Sequence, residues 1–352
     1  MSMKYVVIMA GGIGSRFWPV STQQKPKQFI DILGIGRSLL QMTYDRVLPL
    51  VDPSNIIIMT HADYASLVME QLPDLPERNI LCEPSRNNTA PCIAFAALHI
   101  QARDPHASFA VLSSDHIILR EGLFRSLLAQ GFEICQQKGV IVTMGISPTR
   151  PDTGYGYIEV EAGTQAPFSV QSFKEKPDIE TAKAYISTGH FFWNAGIFIW
   201  RVDTILDAFR LYEPTILEVL DSDSPHYGST TEQEHINRYY PSTKSISIDY
   251  AILERAENVY CIPAEIGWSD LGTWDSLHAY LAEGSGDQLV TVGEKIVPID
   301  CSNSIIVSHS PKTLLIRGLS DFIIVDTDKA LLIYPKSKEQ EIKQSLSTHL
   351  IQ

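Results

Sequence analysis

Short apolar runs alternate with longer segments of helical periodicity through the first 146 of the 352 residues. The runs favour buried strands at 4–10, 55–60, 79–82, 108–112 and 139–146. The intervening segments favour helices at 38–50, 62–72, 91–103 and 120–138. This alternation predicts an α/β fold with a Rossmann-like mixed, mostly parallel sheet flanked by helices. In such sheets ligands bind at the carboxyl ends of the strands, where the loops lie.

The second half of the chain changes pattern and then becomes rich in short strands. Strands are predicted at 155–161, 169–174 and 191–200, and helices at 179–187, 202–211 and 231–240. A small polar linker, 283–287, predicts a boundary between a catalytic domain, 1–283, and a small β-rich domain, 284–352. Five evenly spaced apolar runs in that domain favour a solenoid-like arrangement or a β-meander, ending in a helix at 338–350. A β-sandwich fragment remains the alternative.

Composition excludes several classes of partner. The net charge of -13 argues against broad binding to nucleic acid or to an anionic membrane, because either requires a basic face. Five scattered cysteines without CxxC spacing fit reduced thiols in the cytoplasm better than a disulfide framework or a zinc site. The N-terminal apolar run is too short for a signal peptide, and no run approaches the ~20 residues of a spanning helix.

The loop after the first strand combines backbone freedom with positive charge. Its sequence, MAGGIGSRFWPVSTQQKPKQF at 9–29, lacks the Gly-Lys pair of a P-loop, and Phe17 replaces the third glycine of the dinucleotide fingerprint. A plain glycine-rich turn is the alternative, but the cations of an acidic protein gathered in one loop favour a triphosphate ligand. The residues concerned are Gly11, Gly12, Gly14, Arg16, Lys25 and Lys27.

This loop resembles that of the sugar nucleotidyltransferases, and its FWP and PKQF segments resemble the mannose-1-phosphate guanylyltransferases. The resemblance implies the reaction of GTP with α-D-mannose 1-phosphate to give GDP-mannose and pyrophosphate. It covers nearly the whole chain through motifs in family order: EPSRNNTAP (83–91), SSDH (113–116), TGYGYIE (153–159), FKEKP (173–177), WNAGIFIW (193–200), SIDYAILE (247–254) and GWSDLGTW (267–274).

The resemblance implies a nucleotide-binding set consisting of Gly11, Gly12, Gly14, Ser15, Glu83 and Asn88. Guanine presents N1–H and N2–H₂ side by side, and one carboxylate such as Glu83 can accept both. Adenine offers no such pair of donors. A solvated carboxylate is the alternative for Glu83. The family often carries arginine where Asn87 stands, and Arg86 lies one position earlier, which leaves a phosphate role for this arginine open.

The family analogy also implies a metal ion and two cationic groups around the phosphates. Asp115 and Asp270 are expected to bind Mg²⁺, which takes few carboxylates and completes its shell with phosphate oxygens and water. Helix capping is the alternative for both aspartates. Arg16 and Lys27 are expected to stabilise the departing pyrophosphate, and no enzyme nucleophile or general base is required.

The resemblance assigns a further group of residues to the sugar phosphate. Lys176 is expected to hold the attacking phosphate, which makes it a catalytic residue together with Arg16, Lys27, Asp115 and Asp270. The sugar itself is assigned to Gly156, Glu175, Asn194, Gly196 and Asp249. The alternatives are an exposed pair of opposite charges for residues 175–176 and a helix cap for Asp249.

Other functions remain open from sequence alone. The core motifs do not exclude another sugar 1-phosphate or nucleoside triphosphate, or a non-catalytic homologue that binds nucleotide sugars. A dehydrogenase is weaker, since Asp31 could serve a ribose but the glycine pattern fails. Many bacterial relatives continue into an isomerase domain, and we expect none here because the chain ends at Gln352. A homodimer is compatible with the family resemblance.

Overall fold

The structure, a computed structural model, describes residues 3–12, 14–163, 165–223, 226–282 and 288–349. The chain divides into two compact units that each combine several chain segments. Unit 1 comprises Met1–Gly11, Tyr44–Ser114 and Ile118–Trp268, and unit 2 comprises Gly12–Thr43, Asp115–Ile117 and Ser269–Gln352. The linker predicted at 283–287 lies outside the described residues, so the domain boundary placed there stays a prediction.

Unit 1 is built on a nine-stranded mixed sheet. The strands of the first part of the chain are β1 (Lys4–Met9), β2 (Ile56–His61), β3 (Ile80–Glu83), β4 (Ser108–Ser113), the two-residue β5 (Ile117–Ile118), β6 (Ile141–Ile146), β7 (Tyr157–Val160), β8 (Phe168–Lys174), β9 (Phe191–Arg201) and β10 (Val259–Pro263). The sheet order is β3-β2-β1-β4-β9-β6-β10-β8-β7, with a further pairing of β7 and β9. Burial of β-branched residues on both faces of β1 and β2 explains these strands.

The parallel pairings of this sheet are concentrated on one side. Strands β3, β2, β1 and β4 pair in parallel, as do β6 and β10. Strand β9 runs antiparallel to β4, β6 and β7, and β8 runs antiparallel to β7 and β10. The predicted mixed sheet with flanking helices is confirmed, and its parallel part carries the loops that follow β1, β3 and β4.

Helices cover the sheet close to the predicted positions. They are α1 (Leu39–Val47), α2 (Ala65–Gln71), α3 (Thr89–Arg103), α4 (Glu121–Lys138), α5 (Ile179–Thr188), α6 (Val202–Tyr212), α7 (Pro214–Leu220) and α8 (Glu232–Tyr239). Helix α3 is buried at every position from Ala90 to Ile100, so it lies in the core rather than at the surface. Neither α7 nor β10 was predicted from the sequence, and residues Asp249–Leu253 form a π-helical segment.

Unit 2 contains the opening loop and the C-terminal β-rich segment. Its elements are α9 (Trp274–Ala282), β12 (Val290–Val292), β13 (Ile296–Ile299), β14 (Ile305–Ser308), β15 (Leu314–Arg317), β16 (Phe322–Asp326), β17 (Leu331–Pro335) and α10 (Ile342–His349), after the two-residue β11 (Trp268–Ser269) at its border. Parallel pairing of β12, β14 and β16 and of β13 with β15 confirms the solenoid-like arrangement. The final helix begins at Ile342, later than expected, after a 3₁₀ segment at Lys336–Glu341.

Two general features of the described residues complete the fold. All five cysteines are free thiols, as their scattered spacing predicted. None of the helices in the described ranges is both long and apolar enough to cross a membrane.

Candidate active site

The glycine-rich loop of unit 2 packs closely against the turn that follows it in the chain. Gly14 has a φ of 65°, in the left-handed region, and a β-carbon placed there would lie 2.6 Å from Cβ of Lys27. The Gln28 side chain is buried and donates through Nε2 to the Gly12 carbonyl at 2.9 Å. Residue 13 lies outside the described residues, as does the side chain of Ser15. The loop is therefore fastened at both glycines to the 3₁₀ turn Lys27–Phe29.

Lys27 is the centre of this part of the site. Its side chain is 4% exposed, and Nζ lies 3.0 Å from Oδ2 of Asp115. The same ammonium donates to the carbonyls of Asp270 at 3.0 Å and of Leu271 at 2.8 Å. These bonds use the three donors of the ammonium. Contact with a pyrophosphate therefore requires Lys27 to exchange at least one of these partners.

Asp115 remains ionised beside this ammonium. Burial alone would raise the pKa of Asp115, but the Lys27 ammonium and His116 more than offset it and hold the pKa below the ordinary value. The Asp115 side chain is 35% exposed. Asp270 accepts at Oδ1 from the amide of Gly272 at 3.1 Å, and its own carbonyl faces Lys27. The Lys27 ammonium thus contacts the side chain of Asp115 but only the main chain of Asp270.

This donor set suits a hard cation. Magnesium is bound through one or two carboxylates, and phosphates and water fill the remaining positions. The described residues contain no group of three or more histidine, cysteine, aspartate or glutamate side chains that could hold a metal alone. The carboxylates of Asp115 and Asp270 are of the type and number that Mg²⁺ takes when phosphate oxygens complete its shell, and a magnesium site formed by both stays a prediction.

Arg16 and Phe17 have different environments within the opening loop. Arg16 is exposed. Phe17 is buried, and its ring packs edge-on against Trp274 with centroids 4.9 Å apart. The Lys27 ammonium lies 5.4 Å from the Phe17 ring centroid. Phe17, where a dinucleotide loop would carry glycine, is thus a core residue that supports Lys27.

We expect Gly14→Ala to disrupt this loop. The added methyl group meets Cβ of Lys27 and strains a left-handed backbone, which together cost about 2 kcal/mol or more. Urea unfolding measures the loss of stability. The matched control is Gly36→Ala, which has an equally unusual φ of 82° but open space around the position, so it isolates the backbone term. Equal losses in both variants would show that the contact with Lys27 contributes nothing.

In unit 1, Glu83 ends β3 as a buried carboxylate. It is 8% exposed and accepts hydrogen bonds from the Tyr240 hydroxyl and the Cys92 thiol. Its Oε2 lies 3.5 Å from the position that a β-carbon on Gly11 would occupy, so the carboxylate faces the loop backbone. Burial raises the pKa of Glu83 to about 7 against the lowering effect of these hydrogen bonds and of Arg86.

The residues that follow Glu83 in the EPSRNNTAP motif form hydrogen bonds within the protein. Asn88, with a φ of 70°, caps α3 by accepting from the Thr89 amide at 2.9 Å. Asn87 is buried and donates to the carbonyls of Tyr240 and Thr243, each at 3.0 Å. The Arg86 guanidinium donates to the Tyr64 hydroxyl at 3.0 Å. Asn87 thus fixes the segment that carries Tyr240.

The raised pKa of Glu83 predicts a pH-dependent stability. A carboxyl whose pKa rises from 4.5 to about 7 on folding stabilises the protein fully below pH 4.5, and the effect is lost as pH rises through 7. We expect Glu83→Gln to remove this component, which amounts to about 3 kcal/mol at most. Urea unfolding at about pH 5 and about pH 8 measures it. The exposed Glu77→Gln control should keep the wild-type pH dependence, and an unchanged dependence in Glu83→Gln would contradict the assignment.

A second cluster in unit 1 brings together all six residues expected to contact the sugar phosphate. Gly156 precedes β7 and Glu175 follows β8, and the pairing of Tyr157 with Lys174 places them opposite each other. A β-carbon on Gly156 would lie 2.8 Å from Oε2 of Glu175. Lys176, with a φ of 37°, directs its exposed ammonium to the Glu175 carboxylate. The glycine therefore makes room for the acidic side chain.

The remaining members of this cluster are joined by hydrogen bonds. Asn194 Nδ2 donates to Oδ1 of Asp249 at 2.8 Å, while Asn194 Oδ1 accepts from the Gly196 amide at 3.0 Å. The Asn194 amide also donates to the Gly156 carbonyl at 2.8 Å. Burial, and then the nearby Glu175 carboxylate, raise the pKa of Asp249. The segment that begins at Asp249 is π-helical, and π-helical turns occur frequently at functional sites.

Sequence reasoning missed two side chains beside these clusters. Arg150 lies with its guanidinium 5.3 Å from the Trp193 ring centroid and 5.9 Å from that of Tyr155. It pairs with Asp152 at 2.7 Å. In the sequence, only the position of Arg150 just before the TGYGYIE motif indicated that it could lie near the site. The Tyr240 hydroxyl on Glu83 had no signal, because 157 residues separate the two positions.

Family models match both parts of the chain. A model described as "Nucleotidyl transferase" matches residues 5–285. A second, described as "MannoseP isomerase/GMP-like beta-helix domain", matches residues 294–347. The first covers most of the chain, and the second coincides with the solenoid-like strands of unit 2.

Three known proteins illustrate what this chain is similar to. The "Mannose-1-phosphate guanylyltransferase" of Escherichia coli K12 is 35% identical over 359 residues, covering 97% of this chain and 73% of its own length. The "Xanthan biosynthesis protein XanB" of Xanthomonas campestris pv. campestris B100 is 34% identical, covering 99% and 73%. The crystal structure of a "mannose-1-phosphate geranyltransferase" from Thermus thermophilus superposes with a TM-score of 0.88 at 27% identity, covering 99% of both chains.

Proposed function

Because the chain belongs to the nucleotidyl transferase family, as one of its mannose-1-phosphate guanylyltransferases, we propose that it transfers GMP from GTP to α-D-mannose 1-phosphate. The products are GDP-mannose and pyrophosphate. The observation that most supports this proposal is the convergence of Gly156, Glu175, Lys176, Asn194, Gly196 and Asp249 in unit 1.

The sugar-phosphate oxygen, already an anion near neutral pH, attacks the α-phosphorus of GTP in line with the departing pyrophosphate. No enzyme nucleophile is needed, so catalysis consists of positioning and charge neutralisation. Arg16, exposed in the loop, neutralises the pyrophosphate. Lys27 contributes once it exchanges one of its partners, and Gly11 and Gly12, which lack side chains, let backbone amide groups approach the phosphates.

The sugar phosphate is held by the cluster in unit 1. Lys176 binds its phosphate, since its ammonium is exposed and its only ion-pair partner among the described residues is the neighbouring Glu175 carboxylate. Carboxylates of Glu175 and Asp249 accept hydrogen bonds from sugar hydroxyls, and the Asn194 amide fixes Asp249. Two acidic groups side by side match a ligand rich in hydroxyl donors.

The remaining assignments concern the base and the metal. Glu83, when ionised, accepts the paired donors of guanine, and Asn88, at the start of α3, contributes to the same nucleotide-binding set. Asp115 and Asp270 would hold Mg²⁺, which when bound supplies positive charge to the phosphate oxygens. The proposed compartment is the cytoplasm, supported by five cysteines that form no disulfide.

Pyrophosphate release tests this proposal. Each of GTP, ATP, UTP and dTTP is supplied with mannose 1-phosphate, glucose 1-phosphate or no sugar, with and without Mg²⁺. We expect release only with GTP, mannose 1-phosphate and Mg²⁺ together. Preference for another triphosphate or sugar would replace the assigned substrates. No release in any combination would favour a homologue that only binds nucleotide sugars.

A further inference from the structure

A cavity of about 340 Å³ in unit 1 is not used by any residue of the candidate active site. We call it the α3–α8 cavity, because it is lined by the C-terminal half of α3, the start of β3 and the first turn of α8. His99, on its wall, is the eleventh residue of α3, which places it about 16 Å along the helix from Asn88. Glu83 likewise ends β3, whereas Ile80 and Leu81 at its beginning line the cavity.

The wall of this cavity is positively charged in an acidic chain. It includes the guanidinium groups of Arg78 and Arg103, whereas the whole chain carries a net charge of -13. Glu232 is the one carboxylate among the described residues that line it. That carboxylate is already engaged with His99, so the two arginines determine which ligands the cavity attracts.

Arg103 is held in a fixed orientation. Its NH1 and NH2 groups donate to Oδ1 of Asn79 at 3.1 Å and to the Ser54 carbonyl at 2.9 Å. Its guanidinium lies 5.3 Å from the centroid of the Tyr5 ring. Burial raises the pKa of Tyr5, and the positive charges of Arg103 and Arg78 both oppose that rise. Asn79, the Ser54 carbonyl and the Tyr5 ring together fix the position of the Arg103 guanidinium.

The histidine on the cavity wall has an unmatched buried atom. His99 is 3% exposed, and its Nδ1 lies 2.8 and 2.9 Å from the two carboxylate oxygens of Glu232. Its Nε2 is buried and has no hydrogen-bond partner among the described residues. A buried polar atom without a partner costs free energy, so a residue in this state beside a cavity points to a missing ligand or ordered water.

We propose that the α3–α8 cavity binds a small phosphate-bearing metabolite as an effector. Guanidinium groups match phosphate oxygens in bidentate geometry. The hydroxyl groups of Ser229 and Thr230, also on the wall, supply donors for the remaining oxygens. The volume lies at the low end of the range for ligand pockets, which suits a phosphosugar or inorganic phosphate better than a dinucleotide.

Helix α8 connects this cavity to the proposed base-binding residue. Its first residues, Glu232 and Gln233, line the cavity. Tyr240 follows its last residue and donates a hydrogen bond to Glu83. A ligand that fixes the start of α8 therefore biases the position of Tyr240 and the affinity for nucleotide. This regulatory consequence rests on the proposed function, whereas binding in the cavity does not.

Calorimetric titration of the full chain tests the site directly. The probes are inorganic phosphate, glucose 6-phosphate, glucose and succinate, each titrated into the wild type, Arg78→Gln, Arg210→Gln and Lys176→Gln. Arg78 is exposed, so its substitution should leave the fold intact. We expect one of the two phosphate probes to bind and Arg78→Gln to weaken it by about tenfold or more, as for loss of one charge-assisted contact. Arg210→Gln, an exposed arginine on α6 outside the cavity, should bind like the wild type.

Several other results would contradict the proposed site. Unchanged affinity in Arg78→Gln, or binding by neither phosphate probe at millimolar concentration, would overturn the proposal. Loss of binding in Lys176→Gln would place the ligand at the sugar cluster instead. Succinate binding as well as phosphate does would refute the choice of phosphate. The regulatory link is tested by the KM for GTP with and without the phosphate probe. A change in KM that occurs in the wild type but not in Arg78→Gln would establish the link. An unchanged KM would refute the link and leave the binding result intact.

Discussion

Lys27→Met is expected to abolish most of the nucleotidyl transfer activity and to destabilise the protein. The substitution keeps the length of the buried side chain but removes an ammonium that contacts Asp115 and two carbonyl groups. Loss of one positive group at the phosphates lowers kcat by about 10²–10³-fold. Removing the ammonium partner of Asp115 costs about 2 kcal/mol, below the usual figure for a fully buried pair because solvent partly screens this carboxylate.

Two further variants separate the roles of charge and packing at Lys27. Steady-state kinetics and urea unfolding are measured together, with Lys329→Met as the control because Lys329 is an exposed residue of unit 2. Asp115→Asn removes the partner charge but retains a polar side chain for the ammonium. We expect this variant to remain folded and to lose turnover. Near-normal turnover in either Lys27→Met or Asp115→Asn would refute the assigned role.

Glu175→Gln is expected to reduce kcat/KM for mannose 1-phosphate by about 10- to 100-fold, the range for loss of a charged hydrogen bond to a ligand. The same change should leave stability unchanged or raise it by about 0.5 kcal/mol, because it removes repulsion with Asp249. The ion pair with Lys176 offsets little of this, since that ammonium is 61% exposed. Saturation kinetics for each substrate and urea unfolding measure the two effects.

The main test of this assignment is whether the effect of Glu175→Gln is confined to mannose 1-phosphate. KM for GTP should stay within about twofold of the wild type, since Glu175 is assigned to the sugar alone. Glu180→Gln is the matched control, because Glu180 is an exposed carboxylate paired with Lys183 on α5. An increase in the KM for GTP with unchanged KM for mannose 1-phosphate would reverse the assignment. A marked loss of stability would show that the acidic pair is structural.

Local patterns predicted most elements of the fold, because strands such as β1 and helices such as α3 are apolar segments bounded by polar or turn residues. Strand β10, with the sequence VYCIP, lacks alternation and was missed. The insertion of β9 antiparallel between β4 and β6 depends on pairings between distant residues, which no local pattern encodes. Local propensity therefore predicted the elements and the fold class, whereas the direction of several strands followed from tertiary packing.

The same division holds for the candidate site. Glycine positions such as Gly14 and Gly156 were predicted from motifs, and the structure supplies a steric reason for each. The partners of Lys27 and the Tyr240 hydroxyl on Glu83 join residues far apart in sequence, so they required three-dimensional coordinates. Sequence alone also gave Lys27 a direct phosphate contact, whereas its ammonium is fully engaged within unit 2.

The stereochemical course at the α-phosphorus tests the central claim most directly. GTP carrying a chiral α-phosphorothioate is converted with mannose 1-phosphate, and the configuration of the GDP-mannose analogue is determined by ³¹P NMR. A single in-line displacement by the sugar phosphate predicts inversion. Retention would require two displacements through a covalent enzyme intermediate, and it would contradict an account in which the protein only positions and neutralises its substrates.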